Sequence, residues 1–329
     1  MKKAQKNKII FRVVIICLVT VFILSAVLLG ISIWEKQQGK FLPEDEFDTS
    51  VEYNGVEYEL NGDVESFLVM GLDKRGTAQP SDSYNNDYQA DFLMLFVFDN
   101  AKKEYSAIHV NRDTMARINV LGVAGQKIDT VTKQIALSHS YGNGKEVSCR
   151  NTADAVSDLL FGMKVNHYLS LTMDAVPILN DSVGGVEVTV LDDFSGVDDT
   201  LVKGQSVVLK GEQALHYVRT RYGLEDSSNN TRMERQRQYI DALQKKLLQK
   251  IESDDQFIVD TSLALSDRLV SDRSVTQLQE LADKVSTYKF NGIRTIEGEN
   301  TVGEKFVEFY ADEDSVESAV IDLFYLPKR

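Results

Sequence analysis

The sequence predicts an α/β domain, a mixed central β-sheet with helices on both faces, behind a single N-terminal transmembrane helix. Three observations predict it. Residues 13–34 form an uncharged apolar run of the length that spans a bilayer, which takes about 20 residues. From residue 64 onward, short apolar runs alternate with stretches of helical periodicity, the pattern of a sheet faced by helices. No Pro- or Gly-rich linker divides 64–329, so those residues read as one domain.

The tail before the apolar run carries Lys2, Lys3, Lys6, Lys8 and Arg12 with no acid, whereas Glu44, Asp45, Glu46 and Asp48 follow it. That asymmetry places residues 1–12 in the cytoplasm and the bulk of the chain outside, with Trp34 in the outer interface. A cleaved signal peptide would have an apolar region of only about 7–15 residues and a small-residue cleavage site. Cys17 falls within the span and Cys149 outside it, so no intramolecular disulfide is expected. Five of the 36 basic residues and none of the 50 acidic ones precede Glu35, which leaves the exported part at −19. A surface that acidic excludes broad binding of nucleic acid, which needs a basic face. Anion binding has to be local.

Residues 35–63 read as an extracellular stalk with a small hairpin, 51–53 and 56–60, turned by Asn54-Gly55. Strands are expected at Val64 to Leu72, Asp91 to Asp99 and Tyr105 to Val110, the last two joined at hairpin spacing. A long Gly-, Ser-, Asn- and Asp-rich loop separates the first two, and loops of that length are often functional. Ala153, Val156, Leu159, Leu160 and Met163 recur at helical spacing; Tyr168 to Leu171 reads as a strand. A helix marked by Ala175, Ile178 and Leu179 follows, then a strand at Val186, Val188 and Val190 and a short helix over 211–217. Thr231 and Glu234 suggest a capping box opening a helix of some five turns. Helical stretches at 257–269, 275–285 and 314–324 and strands at 287–297 and 305–310 complete the chain.

Candidate chemistry concentrates in arginines at element ends. Arg112, Arg219, Arg221 and Arg232 are permanently charged forks suited to phosphate. On a helical wheel Arg232 and Gln236 extend the apolar stripe of Ile240, Leu243 and Leu247, while Arg235 points elsewhere. Asp73 ends one strand and Asp91 opens the next, so antiparallel pairing would bring both to one sheet edge, where two carboxylates suit a hard Mg2+ or Mn2+ ion. Each has a plain alternative, a turn opener or a strand cap, and Arg112 with Asp113 can be a structural ion pair. The four histidines are scattered, with His139 read as a surface residue. The P-loop, the G-x-S-x-G elbow and the H-E-x-x-H pattern are all missing.

As an ordered set, FLVMGLD (67–73), ADFLM (90–94), NRDT (111–114), GEQALHYVRTR (211–221) and RMERQ (232–236) resemble the LytR-CpsA-Psr family, cell-wall glycopolymer–peptidoglycan ligases of bacteria. The resemblance implies a membrane-anchored extracellular phosphotransferase. It would attach an undecaprenyl-diphosphate-linked glycopolymer, such as teichoic acid or capsule-like polysaccharide, to peptidoglycan through a phosphodiester. It also implies metal binding by Asp73 and Asp91, diphosphate binding by Arg112, Arg219, Arg221 and Arg232 with help from Gln236, and a positioning or proton-abstracting role for Asp113. The chain departs from the family in one place: Gln89 stands where an arginine is usual two residues before the second acid, and Arg75 in the adjoining loop is the expected substitute. A noncatalytic polyprenyl-phosphate-binding regulator and a diphosphate hydrolase would use the same residues.

Overall fold

The computed structural model describes residues 50–81, 88–224, 229–303 and 306–328. The expected tail 1–12, transmembrane helix 13–34 and first part of the stalk lie outside the described residues. Among the described residues no helix is long and apolar enough to cross a membrane.

A six-stranded mixed sheet organises the domain. It contains β3 (Val64–Leu72), β4 (Ala90–Asp99), β5 (Glu104–Val110), β8 (His167–Thr172), β11 (Leu269–Ser271) and β12 (Lys289–Thr295), in the order β11-β8-β3-β4-β5-β12. β3, β4 and β5 run antiparallel to their neighbours in that trio, whereas β8 lies parallel to β3 and β12 parallel to β5. The central strands are apolar on both faces because helices cover both. On one face Leu68, Met70, Leu93 and Leu95 are fully buried with Cys149 and Val156 of α1 (Glu146–Leu159), Leu160 just past its end, and Val316, Val320 and Phe324 of α7 (Glu313–Phe324). On the other, Phe67, Phe98 and Tyr105 meet Leu278 and Leu281 of α6 (Val275–Ser286). Each such large apolar side chain stabilises the fold by about 1.5–3 kcal/mol.

A second apolar cluster holds the arginine-bearing elements in place. It is built by α2 (Ala175–Ser182), the hairpin β9 (Val186–Thr189) and β10 (Ser206–Leu209), α3 (Glu212–Arg219), the long α4 (Asn229–Ser253) and α5 (Phe257–Leu265). Two further hairpins flank the sheet edge: β6 (Met115–Leu121) with β7 (Lys127–Gln134), and β13 (Gly298–Val302) with β14 (Val307–Ala311).

The stalk boundary differs from expectation. β1 (Ser50–Tyr53) and β2 (Val56–Leu60) do turn at Asn54-Gly55, both at positive φ (52° and 75°), as a tight primed turn requires. But β2 also pairs with the C-terminal β15 (Tyr325–Pro327), Leu60 opposite Tyr325. Val51, Tyr53, Tyr58 and Leu60 pack on the main core. The β1–β2 hairpin therefore belongs to the compact domain, because it finds a third strand and an apolar bed.

Candidate active site

The site forms where β3 ends, β4 begins and β5 ends. Antiparallel pairing brings the first two points together, and Asp73 N donates to Gln89 O at 2.9 Å just past the last rung. Asp73 and Asp91 thus reach the same edge. After β5 the chain turns tightly: Asn111 O accepts from Thr114 N (3.0 Å) and Thr114 Oγ1 (2.6 Å), and Asn111 Oδ1 accepts from Asp113 N (3.0 Å). This asparagine-anchored turn projects Arg112 and Asp113 toward the two acids.

α3 and α4 supply the remaining cations. α3 stops where Thr220 turns extended (φ −58°, ψ 131°), leaving Arg219 and Arg221 on either side of it. Asn229 opens the described part of α4 and bridges it to the turn after β5, its Nδ2 donating to Asn111 Oδ1 at 2.6 Å and its Oδ1 accepting from Arg232 Nη2 at 2.5 Å. Thr231 lies inside the helix rather than at its cap, since helical geometry already extends to Asn229.

Asp73, Asp91, Arg112, Asp113, Arg219, Arg221 and Arg232 all line one cavity of about 980 Å3. Within it every arginine faces a carboxylate. Asp91 Oδ1 accepts from Arg112 Nη1, and its Oδ2 lies 3.4 Å from Arg232 Nη1. Arg219 Nη2 donates to Asp73 Oδ1 at 3.3 Å. Asp113 Oδ1 is 3.3 Å from Arg112 Nε and its Oδ2 is 4.0 Å from Arg221 Nη1. Gln89 Oε1 accepts from Arg112 Nη2 at 2.6 Å, so the residue that replaces the usual arginine holds Arg112 instead of adding charge.

Two expected ligands lie elsewhere. Arg75 pairs with Asp174 (2.7 Å) and Glu212 (3.1 Å) and is absent from the cavity wall, because these two acids at the starts of α2 and α3 claim its guanidinium; it does not replace the missing arginine. Gln236 is buried and donates through Nε2 to Val218 O at 3.0 Å. It braces the backbone that carries Arg219 and does not line the cavity. His139 is also corrected: it is fully buried, its Nδ1 on Tyr88 O at 2.9 Å.

Sequence reasoning overlooked Gln134 and, although it expected a strand over 305–310, gave no sign that the β13–β14 hairpin borders the site. Gln134 Nε2 donates both to Asp113 Oδ1 (2.9 Å) and to Val307 O (2.7 Å), and Phe309 N donates to Asp113 O (2.9 Å). Asp113 is thereby bolted to a hairpin nearly two hundred positions away. No local pattern around Gln134 signals this.

Burial lifts the Asp113 carboxyl above its ordinary value, against the opposing pull of Arg112, Arg221 and Arg232, and Asp113 Oδ2 accepts no hydrogen bond among the described residues. A raised folded-state pKa adds stability that is complete below the ordinary carboxylate range and is lost as pH rises through the raised value. Asp113→Asn keeps an acceptor for Gln134 without the buried charge. Its unfolding midpoint should therefore exceed wild type at neutral pH, with the gap closing as pH falls toward 4, in thermal scans across that range.

The donor set also bears on a metal. No group of three or more His, Cys, Asp or Glu side chains suited to a metal occurs among the described residues. Asp73 and Asp91 share a cavity wall with four phosphate-suited cations. One or two carboxylates completed by substrate phosphate oxygens is the way magnesium is usually held. The residues present fit that group.

The arrangement defines a class: an α/β fold with an arginine- and aspartate-lined cavity at a sheet edge. The LytR_cpsA_psr family matches residues 34–320, and the chain belongs to that family. It is 30% identical over 221 residues to the polyisoprenyl-teichoic acid–peptidoglycan teichoic acid transferase TagU of Enterococcus faecalis, covering 66% of this chain and 64% of that one. It is 28% identical over 246 residues to the biofilm regulatory protein A of Streptococcus mutans, covering 71% and 57%. These matches span only about half to two thirds of the curated relatives' own lengths. Among solved structures, B. subtilis TagV superposes with a TM-score of 0.58 at 22% identity, over 79% of this chain and 95% of that one. TagT bound to LI-WTA gives 0.60 at 20% identity, over 85% and 96%. These structural likenesses bear on the mixed α/β fold alone.

Proposed function

We propose that the protein is a membrane-anchored extracellular phosphotransferase. It transfers a glycopolymer from an undecaprenyl-diphosphate carrier to a peptidoglycan hydroxyl, forming a phosphodiester and releasing the carrier monophosphate. The observation that carries the reading is the convergence of Arg112, Arg219, Arg221 and Arg232 with Asp73, Asp91 and Asp113 on one cavity. Family membership and the TagU relative support it.

In this reading the four guanidinium groups hold the diphosphate and offset the charge that builds on its nonbridging oxygens as the acceptor oxygen attacks in line. Asp113, buried with one oxygen that accepts no hydrogen bond among the described residues, takes the proton from the attacking hydroxyl; a carboxyl that burial raises above its ordinary value suits that task. Asn111 and Gln134 keep it aimed. Asp73 and Asp91 would hold a magnesium ion, or manganese, which supplies Lewis-acid neutralisation of the phosphate oxygens when bound. The apolar run 13–34 and the positive tail support a single-pass anchor with the N-terminus inside, which keeps the domain beside its lipid-borne donor.

The test is to incubate the detergent-solubilised full chain with a lipid-diphosphate oligosaccharide, magnesium and peptidoglycan oligomers, and to identify products by mass. A muramyl phosphodiester is expected. Free oligosaccharide phosphate without a conjugate would instead mark a hydrolase, and unconsumed donor a regulator. Asp91→Asn is expected to raise the magnesium concentration needed for half-maximal transfer, since a hard-cation site weakens with each anionic ligand removed. An unchanged magnesium titration would remove Asp91 from the metal's ligands.

A further inference from the structure

Among the described residues, the seven charged groups that line the cavity are already matched to one another. Both oxygens of Asp91 face guanidinium groups, Arg112 on Oδ1 and Arg232 on Oδ2 (3.4 Å). Asp73 faces Arg219 at 3.3 Å. The Asp91 pairs are the firmer ones, with side-chain exposures of 23% for the acid, 14% for Arg112 and 5% for Arg232, against 41% and 54% for Asp73 and Arg219. Among the described residues, four arginines and three carboxylates leave the cavity lining a formal charge of only +1. A cation approaching Asp91 has to displace a guanidinium from it. A diphosphate approaching Arg112 or Arg232 has to compete with a carboxylate. Each ligand alone therefore meets an occupied partner, whereas both together exchange one set of ion pairs for another without leaving a buried charge unmatched.

We infer that Arg112 and Arg232, with Arg219 in a lesser part, occupy the carboxylates in the place of a divalent cation, so that cation and diphosphate bind with positive coupling and each is weakly held without the other. This rests on the phosphotransferase reading of the site and adds to it the order imposed on its ligands. Coupling of this kind is reciprocal: whatever frees the carboxylates favours the metal, and whatever frees the arginines favours the anion.

The test uses the full chain in detergent micelles and one ligand at a time, so that complexes formed between metal and anion in solution cannot mimic coupling. Binding of Mn2+ alone is followed by loss of the free-ion electron paramagnetic resonance signal. Arg112→Gln should bind Mn2+ about tenfold tighter than wild type, the scale of one partly buried ion pair. Arg219→Gln should do so less, given the exposure of its pair. Arg221→Gln removes the same charge but faces Asp113 rather than the two metal-side acids, and should gain least. In the second arm, methylene diphosphonate is titrated calorimetrically in the presence of a chelator, and Asp91→Asn should bind it several-fold tighter than wild type by releasing Arg112 and Arg232. Equal gains from Arg112→Gln and Arg221→Gln would reduce the effect to bulk charge and overturn the inference, as would unaltered diphosphonate binding by Asp91→Asn. Should Arg112→Gln unfold, as circular dichroism would reveal, the contrast of Arg219→Gln with Arg221→Gln decides the metal arm. If wild type fails to bind Mn2+ and diphosphonate even when both are present, the phosphotransferase reading falls as well. Joint binding with unaltered single-ligand arms overturns only the coupling.

Discussion

Arg235→Ala should lower the domain's thermal unfolding midpoint by on the order of 10 °C, the expected consequence of about 3–5 kcal/mol in a domain of this size. Arg235 is fully buried. Its Nε lies 2.8 Å from Asp192 Oδ2, its Nη1 and Nη2 donate to Tyr217 O and Thr220 O, and its guanidinium carbon sits 5.2 Å from the Phe194 ring centre and 5.9 Å from that of Tyr217. The 2.8 Å approach is an ion pair rather than an aligned hydrogen bond, so the attraction is mainly electrostatic. Truncation leaves Asp192 without its cation and the Tyr217 and Thr220 carbonyls without donors. Those carbonyls belong to the segment that carries Arg219 and Arg221, so transfer activity should fall together with the midpoint. A midpoint within about 2 °C of wild type would contradict this role, since that is the scale of a surface substitution.

Arg112→Ala should act in the opposite proportion. One guanidinium bonds to Asp91 and Gln89 and approaches Asp113, so its loss loosens two acids at once and, under the proposed function, removes a donor to the phosphate. Transition-state stabilisation of about 2–4 kcal/mol is at stake, a fall in rate of a hundredfold or more. The midpoint should move little, because Arg112 borders the cavity rather than the core. Arg112→Lys should recover little of the rate, since an ammonium cannot span Asp91, Gln89 and a phosphate as a planar fork does. Full activity in Arg112→Lys would show that only charge is needed there.

The contrast between these two arginines shows what was legible from residue order. β3, β4, β5 and β8 could be read nearly to the residue because their apolar runs are bounded by turn residues and their pairings are local or simply crossed. Arg112, Arg219, Arg221 and Arg232, which line one cavity, stand out in the sequence because they lie at the ends of periodic elements. The helical wheel set Arg235 apart from the Arg232–Gln236 face, but it could not reveal that the 192–194 segment and the end of α3 cover that other side. Burial on a second face is a tertiary fact. That Arg75 and Gln236 lie off the cavity wall is hidden for the same reason: neither a loop position nor a helical wheel says anything of Asp174, Glu212 or Val218 O, which take their donors. Gln134 lies at the end of a largely exposed strand whose pattern shows neither a core nor a site.

The three-stranded sheet of β1, β2 and β15 fixes a timetable. β2 is complete at Leu60, yet its second partner is Tyr325–Pro327. At about 5–20 residues per second of synthesis, that partner arrives on the order of 15–50 s later. Until then the outer edge of β2 offers open backbone donors and acceptors to any passing strand, and the apolar side chains of Tyr58 and Leu60 lack their final cover. The chain therefore cannot lock its first hairpin before its last strand is delivered. Early termination anywhere before residue 325 would leave that edge permanently open to other chains or to proteases, even where the six-stranded sheet and the charged cavity had formed.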